Sequence, residues 1–123
     1  MRLERRTYAR YAFQCTVSCK ALGCTELLKT ITLDLSHRGF FVQTTTPYSL
    51  LTRFAFSLEV VEGEPPIEGH AVVRWINHHT PRGMGVEIVR LDDPERFHRI
   101  LNQASDREPG AWLKRLFRLS APH

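Results

Sequence analysis

The chain has 123 residues, of which 42% are hydrophobic and 24% are charged, a composition typical of a single soluble globular domain. It has no run of 18 apolar residues and its N-terminus is charged, so we expect no membrane span, no secretory signal and a cytoplasmic location. The formal net charge is +4, and residues 1–10 hold four arginines against one glutamate. Such a concentration attracts an anion, but charge alone does not distinguish phosphate, nucleic acid and an acidic membrane.

The chain has three cysteines, an odd number, which does not form a closed disulfide framework. Cys15 and Cys19 are four residues apart on a predicted strand, which separates their Cα atoms by about 13 Å. A disulfide requires a separation of about 4.4–6.8 Å. We therefore expect all three, including Cys24, to be free thiols in a reducing compartment.

Polar and apolar residues alternate in six short stretches, the pattern of half-buried β-strands. The stretches are residues 13–21, 31–35, 40–45, 54–60, 71–75 and 84–88. In the second stretch the alternation puts Ile31, Leu33 and Leu35 on one face and Thr32 on the other. In the fifth stretch it places Trp75 in the core. Six short strands separated by turn-forming residues predict an antiparallel sandwich or barrel.

The last quarter of the chain changes to helical periodicity. Residues 92–95, DDPE, offer an N-cap, a proline in the first turn and acidic residues beside it. An amphipathic α-helix is then predicted by apolar residues at helical spacing, namely Phe97, Ile100, Leu101 and Ala104. The tail beyond residue 105 allows a short second helix, with one apolar side formed by Trp112, Leu113, Leu116 and Phe117.

Two short motifs follow one another along the chain. RRTYAR occupies residues 5–10 and DLSHRG occupies residues 34–39, while GMGVEI at residues 83–88 is a glycine-bracketed strand. The pair resembles the signature of PilZ domains, RRxxxR followed by [D/N]xSxxG, with every motif position present. Either motif alone is more often a solvated arm or a simple turn. Together, at this spacing, they make residues 4–105 similar to a PilZ domain.

The resemblance implies both a fold and a function. The fold is mainly β, a six-stranded antiparallel PilZ-type β-barrel with a C-terminal α-helix. The domain would span residues 1–105, with residues 1–11 as a flexible arginine-rich arm and residues 106–123 as a tail. The function is that of a single-domain receptor for the bacterial second messenger cyclic di-GMP (c-di-GMP). This ligand presents two phosphodiesters and two guanine bases, and no further cofactor is expected.

The arginines of the first motif suit such a ligand. Arg6 and Arg10 form the RxxxR core, and a guanidinium is always charged, forks onto phosphate or the guanine O6/N7 edge, and stacks on bases. In families with this motif the residue just before RxxxR influences how many ligand molecules bind. Here that residue is Arg5, a third cation, so we expect two molecules of c-di-GMP per chain.

The second motif supplies complementary groups. Asp34 and Ser36 are two residues apart at a strand end, so we expect both side chains to project to the same side. The carboxylate can accept hydrogen bonds from the guanine N–H groups, and the hydroxyl can donate or accept. We expect Gly39 to permit a left-handed turn or a close approach of the ligand.

We expect binding to be transmitted to an effector protein. The arm has few apolar residues to anchor it, so ordering it is entropically unfavourable until ligand phosphates neutralise its arginines. Ligand binding would then order residues 4–11 against the second motif and create a surface for the effector. The apolar side of the tail is a second candidate surface, although packing of the tail on the barrel explains the same pattern.

Several other functions have weaker support. A PilZ-like adaptor that works without nucleotide is the main alternative. Nucleic-acid binding through the basic arm and tail rests on charge alone. His78 and His79 are adjacent, so on a strand their side chains point to opposite faces and do not readily bind one ion. No carboxylate or cysteine has a matching spacing, so we expect no metal site. Ser36 and His37 are adjacent and lack a Gly-x-Ser-x-Gly context, so we expect no enzyme.

Overall fold

The computed structural model describes residues 11–12 and 14–106, with side chains described for residues 14–103. The predictions about Arg5, Arg6 and Arg10, about the flexibility of residues 1–10 and about a helix in the tail lie outside the described residues. The last residue of the predicted arm, Tyr11, is described and pairs with Leu35, so a flexible arm is wrong at that residue. Among the residues that are described, no helix is long and apolar enough to cross a membrane.

The described residues form seven strands and one helix. These are β1 (Tyr11–Ala12), β2 (Thr16–Ala21), β3 (Leu28–Leu35), β4 (Gly39–Gln43), β5 (Arg53–Glu59), β6 (Ile67–Asn77), β7 (Gly83–Leu91) and α1 (Pro94–Asp106). The antiparallel order is β1-β3-β2-β5-β6-β7-β4, and β4 also pairs with β3. That last pairing closes β2 to β7 into a ring of six strands, with the two-residue β1 added beside β3, which confirms the predicted six-stranded antiparallel barrel and its C-terminal helix.

The inward-facing side chains of the strands and one face of α1 make a single core. Phe40 and Phe56 meet edge to face in it, with ring centroids 5.1 Å apart. The core is completed by Phe97 and Leu101 of α1, which are almost fully buried, so the helix packs its apolar face onto the barrel as its periodicity predicts. The buried members are Cys15, Val17, Cys19, Leu35, Phe40, Val42, Phe54, Phe56, Leu58, Val60, Ile67, Ala71, Val73, Met84, Val86, Phe97, Ile100 and Leu101.

The start of α1 is fixed by the residues that the sequence indicates. A carboxylate oxygen of Asp93 accepts a hydrogen bond from the backbone N–H of Arg96 at 3.2 Å, which is the N-cap interaction. The guanidinium of Arg96 donates to the carbonyls of Pro65 and Pro66 at 2.9 and 3.0 Å. The first turn of the helix is thereby tied to the loop between β5 and β6.

The alternation predicted for β3 was wrong at Thr32. Between the pairs Thr32–Val42 and Asp34–Phe41, β3 advances by two residues and β4 by one, so Leu33 is the extra residue of a β-bulge. Thr32 is fully buried, and its hydroxyl accepts a hydrogen bond from the backbone N–H of Cys15 at 3.2 Å. Before the bulge it is Thr32 that faces the core, and after it Leu35 does. The side chains change faces because an extra residue shifts the two-residue period by one.

A second β-bulge overturns the prediction for Trp75. Val73 pairs with Val86 and Trp75 pairs with Gly85, so Arg74 is the extra residue. Val73 is fully buried, as predicted, but Trp75 is 46% exposed. Trp75 therefore lies on the outer face of the barrel and not in its core.

The first prediction concerns the thiols, all of which are free as expected, with Cys15 and Cys19 buried and Cys24 exposed. Burial raises the pKa of both buried thiols to about 12. A protonated, buried thiol does not react. We expect DTNB to label Cys24 alone in the native protein and all three cysteines in denaturant.

Cys24→Ser is the control, and it should abolish native labelling.

Burial of the two thiols also predicts how stability depends on pH. Unfolded thiols ionise near pH 9.0, whereas the buried ones stay protonated to about pH 12, so the unfolded state binds fewer protons in this range. The free energy of unfolding should therefore decline as pH rises from about 9 to about 12. Rapid native labelling of Cys15 or Cys19 would contradict the described core.

Candidate functional site

The DLSHRG motif forms the turn between β3 and β4, and Ser36 holds it together. The hydroxyl of Ser36 donates to the Gly39 carbonyl at 3.1 Å and accepts from the backbone N–H groups of Arg38 at 3.3 Å and Gly39 at 3.2 Å. The backbone N–H of Ser36 donates to the same carbonyl at 2.9 Å. A hydroxyl has one donor and two acceptor positions, and the turn uses all three. Ser36 is only 4% exposed, so its described role is to shape the turn.

Gly39 is required by strand packing and not by its backbone conformation. Among the described glycines only Gly23 and Gly63 have positive φ. Of the two roles expected for Gly39, the left-handed turn is therefore wrong, and the close approach of a ligand stays a prediction. A Cβ at this position would overlap the carbonyl oxygen of Val86 on β7. Gly39 pairs with Glu87 in the β4–β7 ladder, and the absence of a side chain lets the two strands come together.

Asp34 lies one residue before the end of β3, half-buried. Its backbone pairs with Ala12 of β1 on one side and with Phe41 of β4 on the other. Arg10 directly precedes β1 in the sequence. The β1–β3 pairing therefore ties the chain just after the RRTYAR motif to the residue that begins DLSHRG.

A charged group beside the turn was missed from the sequence. One carboxylate oxygen of Glu87 accepts from the guanidinium of Arg74 at 2.6 Å, and the other accepts from that of Arg38 at 3.3 Å. The Arg74 guanidinium, helped by that of Arg38, holds the pKa of the Glu87 carboxyl below its usual value. Two guanidinium groups around one carboxylate leave this patch net positive, which favours an anionic ligand.

The sequence indicates two of these three residues, Arg38 and Glu87, because both lie in or beside recognised motifs. Arg38 occupies a variable position of the second motif, and Glu87 lies in the glycine-bracketed GMGVEI strand. Arg74 and Glu87 meet across two strands in a ladder whose register is shifted by the bulge at Arg74. That register could not be predicted from alternation alone.

The turn also contacts the C-terminal helix. Nε2 of His37 lies 3.1 Å from Oδ1 of Asn102, and the rings of His37 and His98 are 5.0 Å apart. The backbone N–H of Ile88 on β7 donates to the Arg38 carbonyl at 2.8 Å. Neighbouring residues of one motif are thus fixed to two different elements, which limits the freedom of the turn.

Two clefts on the described surface are lined by other residues and differ in charge from the turn. One, of about 520 Å³, is bordered by Glu59, Glu62 and Glu64. The other, of about 360 Å³, carries Glu68 and Asp92 together with one histidine and one arginine. Carboxylates repel phosphate, so cleft volume is a poor guide here. The turn region, where the guanidinium groups of Arg38 and Arg74 offset the carboxylates of Asp34 and Glu87, repels an anion less than either cleft.

The second prediction tests the packing role of Gly39. The Cβ of Gly39→Ala would meet backbone of the paired strand, so we expect β4 and β7 to be forced apart and the free energy of unfolding to fall by about 2–3 kcal/mol. Urea unfolding measures the change. Gly23→Ala is the contrast, because Gly23 has φ +84 but nothing within 4 Å of a Cβ, and it should lose less, about 1 kcal/mol. An equal or smaller loss at Gly39 would contradict this account.

The fold has relatives among solved structures, whereas no curated protein sequence matches the chain. The structure of the Bacillus subtilis inhibitor of motility (MotI/DgrA) superposes with a TM-score of 0.65 at 22% identity, and the match covers 84% of this chain and 53% of that one. The chain thus spans about half the length of that protein. The PilZ domain with c-di-GMP of YcgR from Escherichia coli superposes with a TM-score of 0.60 at 17% identity, covering 87% of this chain and 98% of that one.

At these identities the two structures establish the fold alone. Membership of a family rests on the sequence match instead. The model of the PilZ domain matches residues 4–104, a range that contains both motifs, the whole barrel and most of α1. The chain therefore belongs to the PilZ domain family.

Proposed function

We propose that this protein is a receptor for cyclic di-GMP that acts on a partner protein. The observation that carries the proposal is the backbone pairing of Ala12 with Asp34. It joins the chain just after one complete motif to the start of the other, although the two are separated by more than twenty residues in the sequence. Family membership supports the same ligand, as does the similar fold of the YcgR PilZ domain, whose structure was solved with c-di-GMP.

In this proposal the residues of the two motifs have different tasks. Arg6 and Arg10 bind phosphate and the guanine edge, and Asp34 accepts hydrogen bonds from guanine N–H groups. Ser36 and Gly39 act by shaping the turn that presents Asp34, because the serine hydroxyl bonds to backbone groups of the turn itself and the glycine packs against β7. We assign the protein no chemical step.

Arg5 sets the proposed stoichiometry of two ligand molecules per chain. A stacked pair of ligands carries four phosphodiester charges in all, and a third guanidinium would help to balance them. The molar ratio in calorimetry tests this directly, since Arg5→Leu should move it from two towards one.

The proposed signal is the ordering of residues 4–10 on ligand binding, since Tyr11 is already paired with Leu35 in β1. Amide hydrogen exchange with and without c-di-GMP tests this step, and protection already present in the free protein would exclude it. The proposed location is the cytoplasm, which fits three free cysteines.

The third prediction concerns the arginines. If each makes charge-assisted contacts worth about 1.5–3 kcal/mol, Arg6→Ala and Arg10→Ala should each weaken c-di-GMP binding by about tenfold to a hundredfold in calorimetry. Arg→Lys at either position should also weaken it, because lysine lacks the planar fork. Lys29→Ala is the matched control, since it removes one exposed positive charge from β3 about 17 Å from Asp34.

The result for the wild type separates the candidate functions. A titration with c-di-GMP, GTP and a random oligonucleotide distinguishes a specific receptor from a basic surface that binds any polyanion. No binding of any of the three would favour the adaptor that works without nucleotide. Wild-type affinity in both arginine variants would remove the arm from the site.

The fourth prediction separates guanine recognition from simple charge attraction. Asp34→Ala makes the site more positive, so a surface that only attracts phosphate should bind c-di-GMP as well or better. If the carboxylate accepts from guanine, binding should weaken by about tenfold, in line with a charged hydrogen bond. Glu62→Ala is the charge-matched control, because it removes an exposed carboxylate elsewhere on the protein. Tighter binding of c-di-GMP by Asp34→Ala would contradict the base contact.

A further inference from the structure

Three leucines project from two neighbouring turns at one end of the barrel, and we call them the leucine tip. Leu22, Leu50 and Leu51 are 58%, 56% and 65% exposed, respectively. Leu22 lies in a turn over residues 21–24, and the other two lie in a turn over residues 49–52. In each turn the last backbone N–H donates to the first carbonyl, at 3.0 and 3.1 Å. The N–H of Leu22 also donates to the carbonyl of Arg53 at 3.1 Å, so the two turns are joined directly.

Leu51 has a backbone conformation that disfavours its own side chain. The third residue of each turn has positive φ, 84° at Gly23 and 69° at Leu51. Glycine or asparagine usually occupies this position, because a Cβ in the left-handed region crowds the following carbonyl oxygen. In the described part of the chain Leu51 is the one non-glycine residue with positive φ, and its exposed side chain is not part of the core. Core packing therefore does not explain this leucine, and strained positions of this kind often serve a function.

The leucine tip lies at the end of the barrel opposite the DLSHRG turn. Connections between consecutive antiparallel strands alternate between the two ends, so the β2–β3, β4–β5 and β6–β7 connections share one end and the β3–β4 turn lies at the other. β3 runs between the two ends, and its eight residues extend about 23 Å. A surface that binds the leucine tip therefore leaves the proposed ligand site accessible.

Positive charge accompanies the three leucines. The three connections at this end and the strand residues beside them, over residues 20–29, 44–53 and 78–82, contain four cations against the single carboxylate of Glu26. All four cations are exposed, namely Lys20, Lys29, Arg53 and Arg82. Protruding apolar side chains beside basic residues suit an anionic lipid surface, because the apolar groups enter the acyl boundary while the cations attract the headgroups.

The size and shape of the leucine tip fit a lipid surface better than a protein partner. A specific protein interface has about 20–30 residues and about 800 Å² on each side, whereas the tip offers three apolar side chains on projecting turns. Such side chains need a matching groove on a protein. A lipid interface accepts them without one, and its affinity scales with the apolar area buried plus the electrostatic attraction.

We propose that the leucine tip binds the surface of an anionic membrane. The three leucines enter the boundary between headgroups and acyl chains, while Lys20 and Arg53 lie among the headgroups. The β5–β6 connection at the far end of the barrel, residues 60–66, contains Glu62 and Glu64 and no lysine or arginine, so the same membrane repels it. The inference goes beyond the proposed receptor function and does not depend on c-di-GMP.

Co-sedimentation of the full chain with lipid vesicles, without nucleotide, tests the proposal. We expect binding to vesicles of phosphatidylcholine mixed with phosphatidylglycerol, weaker binding to phosphatidylcholine alone, and a decline with added salt. Leu22→Ser and Leu51→Gly should each weaken binding to the mixed vesicles by about fivefold or more, because each removes a leucine from the acyl boundary. Val89→Ser is the control, because Val89 is 41% exposed but lies near the end of β7, far from both turns, and this variant should bind as the wild type does.

Urea unfolding of the same variants separates a binding role from a structural one. Glycine adopts positive φ without strain, so Leu51→Gly should unfold at the same or a higher urea concentration while it binds vesicles more weakly. Lower stability of Leu51→Gly together with unchanged vesicle binding would overturn the proposal.

The remaining outcomes also decide the matter. Weaker binding by both leucine variants and unchanged binding by Val89→Ser supports the membrane contact. Failure of the wild type to bind the mixed vesicles, or equal binding by all variants, would overturn it. Self-association in analytical ultracentrifugation that Leu51→Gly abolishes, without vesicle binding, would assign the leucine tip to a second copy of the chain instead. None of these results bears on c-di-GMP binding, which calorimetry tests separately.

Discussion

The hairpin that joins β3 to β4 closes this barrel, and a single serine hydroxyl organises its turn. Ser36 bonds to both sides of the turn, and Gly39 then lets β4 lie directly against β7. Without that contact β4 would be an unpaired edge, and closure is the means by which a small sheet avoids an exposed edge. Ser36 and Gly39 of the second motif thus stabilise the turn and the strand packing, and the position of Asp34 depends on both.

Two β-bulges give the outer surface its chemical character. The bulge at Leu33 places Thr32 inside and Asp34 outside. The bulge at Arg74 leaves Val73 inside and brings Trp75 outside. Each extra residue shifts one strand by one position against its neighbour, so a polar group and an aromatic ring come to the outer face. Bulges often re-aim side chains beside functional sites, and both bulges here border the proposed ligand surface.

The same turn connects the proposed ligand site to the rest of the molecule. His37 contacts α1 at His98 and Asn102, while Arg38 is held to β7 by its carbonyl and by Glu87. The turn is therefore a segment with contacts to both the sheet and the helix, so a displacement of the turn would affect both.

The sequence by itself determined the family, the six-stranded barrel, the start of α1 and the identity of the motif residues. Two-residue periodicity left a sandwich and a barrel open, and the resemblance of the two motifs to PilZ domains is what implied the barrel and the family. The start of α1 follows from helical periodicity and a capping aspartate, which the chain carries without reference to distant contacts. Tertiary structure decided which side of a strand faces water after a bulge. It also decided that Ser36 and Gly39 hold the turn, and that Arg74 and Glu87 meet Arg38. Each of these depends on the register between strands distant in sequence, and one extra residue in a ladder reverses the outcome.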